Sequence, residues 1–464
     1  MKNGIIRDYT KGPLFGPLVR FSLPFMLSNA LQVLYTTVDM FVVGNCVGVN
    51  GLSAVTNAGR LVDFFIVLCI GLSMSGQIYI AQLIGQGRRQ ELNRTIGTLF
   101  TFLLAMGAVM SVLGVASART LIRWIRVPAG TERDALSYLT CCSSGLLFSY
   151  GYNMVSSVLR GMGDSKRPFL FVAIASIANL VLDIAFVKYL GMGVFGAALA
   201  TVLAQALSFL FALAHLYRRR DAFGFDFRPR SFRMDRAILR ALLRVGIPIA
   251  IRFSAINISM MYVLSLVNGV GIAASALFGT GVKLDDIVTK ITMGIMQATT
   301  VVVGQNYGAH QFGRIRRAVV YAWILSFGFY AVYTFFLLRY PETMFGFFLK
   351  DNPEFPGLRE EVLALAPLFA RTIVWQFPGL VIMRGTNGFI NGIGHTRLSL
   401  LFGLFDGVVL RIGCSWFLGD VVGLGLQGYI LGFAVACYGT GIPSLVYFFF
   451  FPWEKRKAVT VLEG

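Results

Sequence analysis

Residues 18–43 decide the fold class. They read LVRFSLPFMLSNALQVLYTTVDMFVV and carry only two charged side chains, Arg20 and Asp39. A helix needs about 20 apolar residues to cross the hydrocarbon core of a bilayer, and this run is long enough. Comparable runs recur along the chain, the last from Tyr429 to Phe451. The sequence is only 14% charged, about half the share of an ordinary soluble domain. Because hydrocarbon offers no water to backbone groups, these runs predict an all-α polytopic membrane protein.

The spacing of the apolar runs predicts about twelve transmembrane helices. Their expected first residues are Leu18, Gly51, Arg94, Asp134, Arg167, Val194, Arg240, Ala273, Arg316, Val362, Arg397 and Gln427. The net charge of +19 comes from basic clusters in alternate connections, whereas the remaining connections are uncharged or mixed in sign. By the positive-inside rule, both termini and the central basic loop are cytoplasmic. A basic patch that binds nucleic acid would not alternate in this way, so no nucleic-acid partner is expected.

The chain is internally duplicated. An offset of 223 residues pairs Arg60 with Lys283, Asp63 with Asp286, Gly71 with Gly294, Gln82 with Gln305, and Gly85 with Gly308. Further along, the glycines of LRGMGD (159–164) match those of INGIGH (390–395) at an offset of 231, and those of GMGVFG (191–196) match GLGLQG (423–428) at 232. The repeats predict two pseudo-symmetric six-helix lobes around a central cavity. We expect an amino-terminal lobe at 1–217, a basic cytoplasmic linker at 218–239, and a carboxyl-terminal lobe with a cytoplasmic tail at 240–464.

The glycine motifs of the third pairing do not indicate a dinucleotide site. GMGVFG and GLGLQG both satisfy G-x-G-x-x-G, but neither follows a strand of a βαβ unit, and both fall in predicted turns between spans. The sequence also has no phosphate-binding loop, metal-ligand cluster or nucleophile triad. We therefore expect neither an enzyme nor an ATP-driven pump. Ion-driven transport without a cofactor is the natural inference, with H⁺ or Na⁺ as the coupling ion.

Ionisable residues inside a span are costly and mark functional sites by default. Asp39 lies deep in the first span, and Asn179 and Asp183 share one face of the fifth, four residues apart. Thr201 lies in the sixth span. If these faces converge, two carboxylates, an amide and a hydroxyl form an oxygen-lined pocket for a proton or a small cation, because two nearby buried carboxylates cannot both stay ionised cheaply. The plainer alternative is that both acids only make interhelical hydrogen bonds.

Other polar, soft or helix-bending residues are weaker candidates. Side chains that could line a cavity, or simply pack, are Tyr35, Gln205, Met260 and Gln297. Pro24 and Pro248 stand early in the first span of each half, where each removes a backbone hydrogen bond and can bend its helix.

Two repeat-related pairs of opposite charge lie within predicted helices. Arg60 precedes Asp63 by three residues, and Lys283 precedes Asp286 by the same spacing. Mutual neutralisation in two structural ion pairs is the simpler prediction, and a role at the outer gate is the alternative.

Five stretches together resemble the multidrug and toxic compound extrusion (MATE) transporters, within them the DinF-like bacterial branch. These stretches are LPFMLSNALQVLYTTVDMFVVG (23–44), LRGMGDSKRP (159–168), NLVLDIAFV (179–187), GVFGAALAT (193–201) and VVVGQNYGAHQFGRIRRA (301–318). The resemblance implies a V-shaped, twelve-helix transporter that exchanges amphipathic, often cationic compounds for protons or sodium.

The resemblance also implies the positions of the coupling residues. The branch's coupling residues fall on Asp39, Asn179, Asp183 and Thr201, and its bending proline falls on Pro24. A carboxyl-lobe ion site of the kind used by other branches is not expected, because the span after Pro248 holds Arg252 and no carboxylate.

We therefore expect a secondary multidrug efflux transporter that works by alternating access, acts as a monomer in the lipid bilayer, and moves small amphipathic or cationic substrates. The alternative is a flippase for a lipid-linked oligosaccharide or another amphiphile. Such a flippase would be expected to have a cationic cavity, whereas the amino-lobe polar cluster is acidic.

Overall fold

The computed structural model describes residues 6–125, 127–128, 130–349 and 355–461. All regular elements in these ranges are helical, which confirms the predicted fold class. The helices of the first half are α1 (Phe15–Cys46), α2 (Val49–Gly85), α3 (Leu92–Trp124), α4 (Glu132–Ser144), α5 (Leu146–Gly161), α6 (Lys166–Asp183), α7 (Gly193–Arg218) and the short α8 (Arg220–Phe223). Those of the second half are α9 (Arg236–Asn268), α10 (Ile272–Gly308), α11 (Phe312–Arg339), α12 (Pro341–Gly346), α13 (Leu358–Ile373), α14 (Gln376–Gly392), α15 (Thr396–Leu404), α16 (Gly425–Val435) and α17 (Tyr438–Phe450).

The helices reproduce the predicted spans. Among the described residues, ten helical stretches are long and apolar enough to cross a membrane, and α13 with α14 forms a further span bent by 49°. The remaining predicted span corresponds to α4 and α5, which are separated by Gly145 alone. Each of the twelve expected starts therefore falls at or near the beginning of a helix or of a broken helix pair. The lobe and linker limits stay a prediction, although the gap between α7 and α9 falls within the expected linker.

Two spans change from α-helical to π-helical hydrogen bonding. In the first half, residues Ile184–Tyr189 continue α6 as a π-helix directly after Asp183. In the second half, Phe405–Cys414 and Phe417–Val421 do the same after α15. Such segments inside α-helices occur frequently at functional sites.

The two halves meet along a lobe seam, which we define as the contacts of α1 and α2 with α9 and α10. Small residues allow the backbones to approach closely there. A Cβ on Gly71 would lie 2.7 Å from the backbone nitrogen of Ala250, and one on Gly294 would lie 2.6 Å from that of Met26.

Both described chain ends pack at the same end of the bundle, which we call the terminal face. The Tyr9 amide donates to Gln305 Oε1 at 2.9 Å, and the Val459 amide donates to Gln82 Oε1 at 2.9 Å. Beside these contacts, the glycines Gly85 and Gly308 each abut the carbonyl oxygen of the opposite lobe's glutamine. The seam is therefore closed at the terminal face.

Candidate functional site

The predicted coupling acids lie on separate helices and are both buried. Asp39 is 7% exposed on α1, and Asp183 is 1% exposed where α6 gives way to its π-helical continuation. The two are near enough for the charge of Asp39 to act on Asp183. The structure therefore brings together two acids that lie 144 positions apart in the sequence (183 − 39 = 144).

The predicted amide and hydroxyl meet beside these acids. Asn179 is buried one turn before Asp183 on α6, and its Nδ2 lies 3.5 Å from Thr201 Oγ1 on α7. That hydroxyl also donates to the carbonyl oxygen of Ala197 at 3.1 Å. The Thr201 oxygen thus accepts a hydrogen bond from the side-chain amide of Asn179. This contact joins α6 to α7 at the acid site. We call Asp39, Asn179, Asp183 and Thr201 the acid cluster.

The acid cluster has unused acceptors. Within the described part of the chain, Asp39 Oδ1 and Asp183 Oδ1 are buried without a hydrogen-bond partner. Among the described residues, no cationic side chain stabilises the charge of either carboxylate. A buried carboxylate oxygen without a partner is costly unless it is protonated or meets a cation. Hard oxygen donors of this kind suit a proton or a hard cation such as Na⁺.

The predicted cavity-lining residues have different surroundings. Tyr35 lies one turn before Asp39 and close enough to interact with both Asp39 and Asp63, so it adjoins the acid cluster. Gln205 instead accepts a hydrogen bond from Ser149 Oγ and links α7 to α5.

The two cavity candidates of the second half lie apart from each other. Met260 packs at the edge of the carboxyl-lobe core. Gln297 lies at the lobe seam, where its backbone carbonyl is 3.5 Å from Gln77 Nε2. Neither is placed beside the acid cluster by a described contact.

Both predicted prolines lie inside long helices and are buried, Pro24 in α1 and Pro248 in α9. The Pro24 carbonyl accepts a hydrogen bond from Ser28 Oγ at 2.8 Å. The helix-bending role of these prolines stays a prediction.

The two predicted charge pairs are not seen as close contacts among the described residues, and their role at a gate stays a prediction. Neither Arg60 with Asp63 nor Lys283 with Asp286 is among the ion pairs of the described residues; instead, both acids interact electrostatically with Lys290. Lys290 follows Asp286 by four residues on α10, and an acid four residues before a base is the more favourable order on a helix. The Lys290 carbonyl also accepts a hydrogen bond from Asn29 Nδ2 on α1 at 2.9 Å. Lys290 was missed by the sequence reasoning, although its spacing from Asp286 was a usable signal.

The fold and this cluster define a multi-pass helical membrane protein of two repeated lobes with a buried acidic site in the first. The MatE family model matches residues 24–185 and 248–417, once in each half. The chain therefore belongs to the MatE family, a family of transporters, and the resemblance to MATE transporters found in the sequence is confirmed.

Individual relatives match over nearly the whole chain. "Probable multidrug resistance protein YpnP" of Bacillus subtilis (strain 168) is 27% identical, over 98% of this chain and 99% of its own length. "Probable multidrug resistance protein YoeA" of the same organism is 23% identical, over 99% and 98%. A crystal structure of a MATE protein in complex with MaL6 superposes with a TM-score of 0.88 at 24% identity, over 97% of this chain and 98% of that chain. This last likeness shows that the fold is shared.

Proposed function

We propose that this protein is a secondary multidrug exporter that exchanges small amphipathic or cationic compounds for H⁺ or Na⁺. The observation that carries the proposal is the pair of buried carboxylates, Asp39 and Asp183, each with an oxygen that lacks a partner among the described residues. Membership of the MatE family and the printed names of the Bacillus relatives support the choice of exported compounds.

The acid cluster supplies the coupling. With both carboxylates ionised, their repulsion and their burial disfavour close approach of α1 to α6. A proton or Na⁺ that enters from outside relieves this repulsion, and Asn179 and Thr201 add neutral oxygen ligands. The bound and free states then prefer different packings of α1, which is the differential affinity that alternating access requires.

The orientation of the protein in the membrane follows from the distribution of its basic residues. We assign the terminal face to the cytoplasm, because the basic residues of the chain ends and of the connections gather there by the positive-inside rule. The seam is closed at this face in the described structure, so we propose that the site opens toward the outside in this state. We further propose, from the family resemblance, that the membrane is the bacterial inner membrane, that the transporter works as a monomer, and that it needs no ATP.

The test uses proteoliposomes that carry a fluorescent lipophilic cation and an imposed proton or sodium gradient. We expect wild type to move the dye under one of the two gradients, which then names the coupling ion. Asp39→Asn and Asp183→Asn should lose gradient-driven movement, whereas Asp221→Asn, an exposed acid of the linker, should retain it. Full activity of both cluster variants would refute the coupling site. Movement of an amphiphile without either gradient would favour a flippase.

A further inference from the structure

Within the part of the carboxyl lobe that the structure describes, three guanidinium groups are buried at mid-helix positions. Arg252 on α9 is 3% exposed, Arg384 on α14 is 4% exposed, and Arg411 in the π-helical segment after α15 is 8% exposed. Two buried acids, Asp285 and Asp406, lie in the same lobe. A buried arginine is costly unless an acceptor or an acid matches its charge. Each of the three groups is therefore expected to have such a partner.

Asp406 uses both of its carboxylate oxygens, whereas Asp285 uses one, and its Oδ1 is buried without a partner among the described residues. Asp406 Oδ1 accepts from Arg411 Nη2 at 3.0 Å, and its Oδ2 accepts from Thr440 Oγ1 at 2.9 Å. Asp285 Oδ2 accepts from Gln376 Nε2 at 2.8 Å. The next acid along the chain, Asp286, faces Lys290.

Two of the arginines have partial partners. Arg411 has its ion pair with Asp406, and Arg384 Nη2 donates to the Thr289 carbonyl at 3.0 Å and approaches the Tyr330 hydroxyl at 3.4 Å. The Nε atoms of both are buried without a hydrogen-bond acceptor in the described part of the chain. Each of these two arginines can therefore donate a further hydrogen bond from its Nε.

Arg252 is the exception. It makes no hydrogen bond or ion pair with the described residues; its guanidinium lies 5.0 Å from the ring centroid of Phe253, and its Nε is buried without an acceptor. It is near enough to interact electrostatically with Asp406 and with Arg384. Among the described buried residues of this lobe, three guanidinium groups thus stand against two carboxylates, which leaves one positive charge unmatched.

The internal repeat shows that this charge belongs to the second lobe alone. The spacing that relates Pro24 to Pro248 places Ser28 opposite Arg252, and the offset of 232 places Asn179 opposite Arg411. Ser28 and Asn179, which are both neutral, thus correspond to arginines in the second lobe. The two lobes therefore carry polar clusters of opposite charge.

We propose that the carboxyl lobe binds one small anion at the buried guanidinium of Arg252, whose Nε lacks an acceptor among the described residues. An anion there supplies the missing acceptor and cancels the unmatched charge. Because Arg252 is only 3% exposed, the ligand has to be compact and weakly hydrated, and chloride fits this description best. The inference is independent of the proposed coupling ion, which belongs to the other lobe.

The first test is thermal unfolding of the purified full-length protein in detergent, with sodium chloride replaced stepwise by sodium gluconate at constant sodium. Ligand that binds only the folded state raises the melting temperature. We expect a saturable rise on the order of 2–5 °C with chloride, reproduced by bromide and absent with gluconate. Arg252→Met should abolish the chloride dependence, and Arg219→Met, which removes an exposed linker charge, should keep it. An identical response of wild type in chloride and gluconate would overturn the proposal, as would an undiminished chloride response in Arg252→Met.

A second measurement does not depend on a stable variant. Equilibrium binding of radioactive ³⁶Cl⁻ to the wild-type protein should saturate at about one ion per chain, and Arg252→Lys, which keeps the charge, should retain part of it. Absence of saturable chloride binding by the wild type would contradict the site even if Arg252→Met fails to fold.

Discussion

Gln82 and Gln305 occupy equivalent positions in the two repeats, and each binds the end of the chain that belongs to the other lobe. Gln305 Oε1 accepts from the Tyr9 amide, and its Nε2 donates to the Arg7 carbonyl at 3.1 Å. Gln82 Oε1 accepts from the Val459 amide, and its Nε2 donates to the Gly392 carbonyl at 2.9 Å. The closure of the terminal face is thus built from two crossed, symmetry-related contacts.

Removing one of these amides should loosen the corresponding chain end. Gln305→Ala deprives the Tyr9 amide of its buried acceptor, at a cost of about 1–3 kcal/mol for the polar groups left behind. We expect faster hydrogen exchange at residues 6–14, measured by mass spectrometry on the intact protein. Gln311→Ala changes an exposed glutamine in the turn that follows α10 and serves as the matched control. Unchanged exchange in Gln305→Ala would show that other contacts hold this segment.

The glycines beside the two glutamines should tolerate no side chain. A Cβ at Gly308 would collide with the carbonyl oxygen of Gln82 across the lobe seam. Gly308→Ala should therefore lower the free energy of unfolding by about 1–3 kcal/mol, the usual cost of overpacking, as measured by thermal unfolding. Gly59→Ala on α2 has open space around its Cβ and should be neutral or slightly stabilising. Equal melting temperatures for the two variants would contradict the close seam.

His395 should make the terminal face sensitive to acid. It lies in the turn between α14 and α15, where burial and the neighbouring Arg456 lower its pKa to about 4. The unfolded chain, with the ordinary value near 6.5, then binds more protons between these two values, so stability should fall as the pH drops from about 6.5 to about 4. His395→Gln keeps an acceptor for Arg456 but does not titrate. Its melting temperature should depend less on pH in this window than that of wild type, and an equal slope would assign the effect to other groups.

The hydroxyl of Thr201 should contribute to ion affinity. Thr201→Val keeps the side-chain shape but removes the oxygen that faces Asn179, a loss of about 1–1.5 kcal/mol for one hydrogen-bonding group. We expect the concentration of coupling ion needed for half-maximal dye export to rise about tenfold. Thr37→Val on α1, whose hydroxyl bonds only to its own helix, is the control. An unchanged ion dependence would remove Thr201 from the acid cluster.

The local pattern of the sequence was sufficient for the fold and for part of the site. The apolar runs and the basic connections located the spans, because the bilayer imposes helix length and leaves charge to the loops. Asn179 and Asp183 were expected on one face, since four residues make about one helical turn, and the structure places Thr201 against Asn179. Asp39 joins them through the packing of α1 against α6, which no local pattern encodes.

Other features depended on tertiary contacts. The match of Gln82 with Gln305 was visible in the repeat, but their role needed the folded position of both chain ends. The sequence pattern pairs Asp63 and Asp286 with basic neighbours three residues away, whereas in the fold both acids interact electrostatically with Lys290. For Arg252, the sequence shows only that its span holds no carboxylate. The lack of a hydrogen-bond partner for Arg252 depends on the packing of the lobe.

The most direct test of the account is the ion movement that accompanies substrate. Proteoliposomes are loaded with an imposed gradient of the effective ion, a lipophilic cation is added, and the resulting collapse of the gradient is followed with an indicator dye. We expect substrate to accelerate the collapse in wild type, and to have no such effect in Asp183→Asn reconstituted at equal density. Substrate-dependent ion movement that persists in Asp183→Asn would contradict the central claim that the buried acids of the first lobe couple the ion to export.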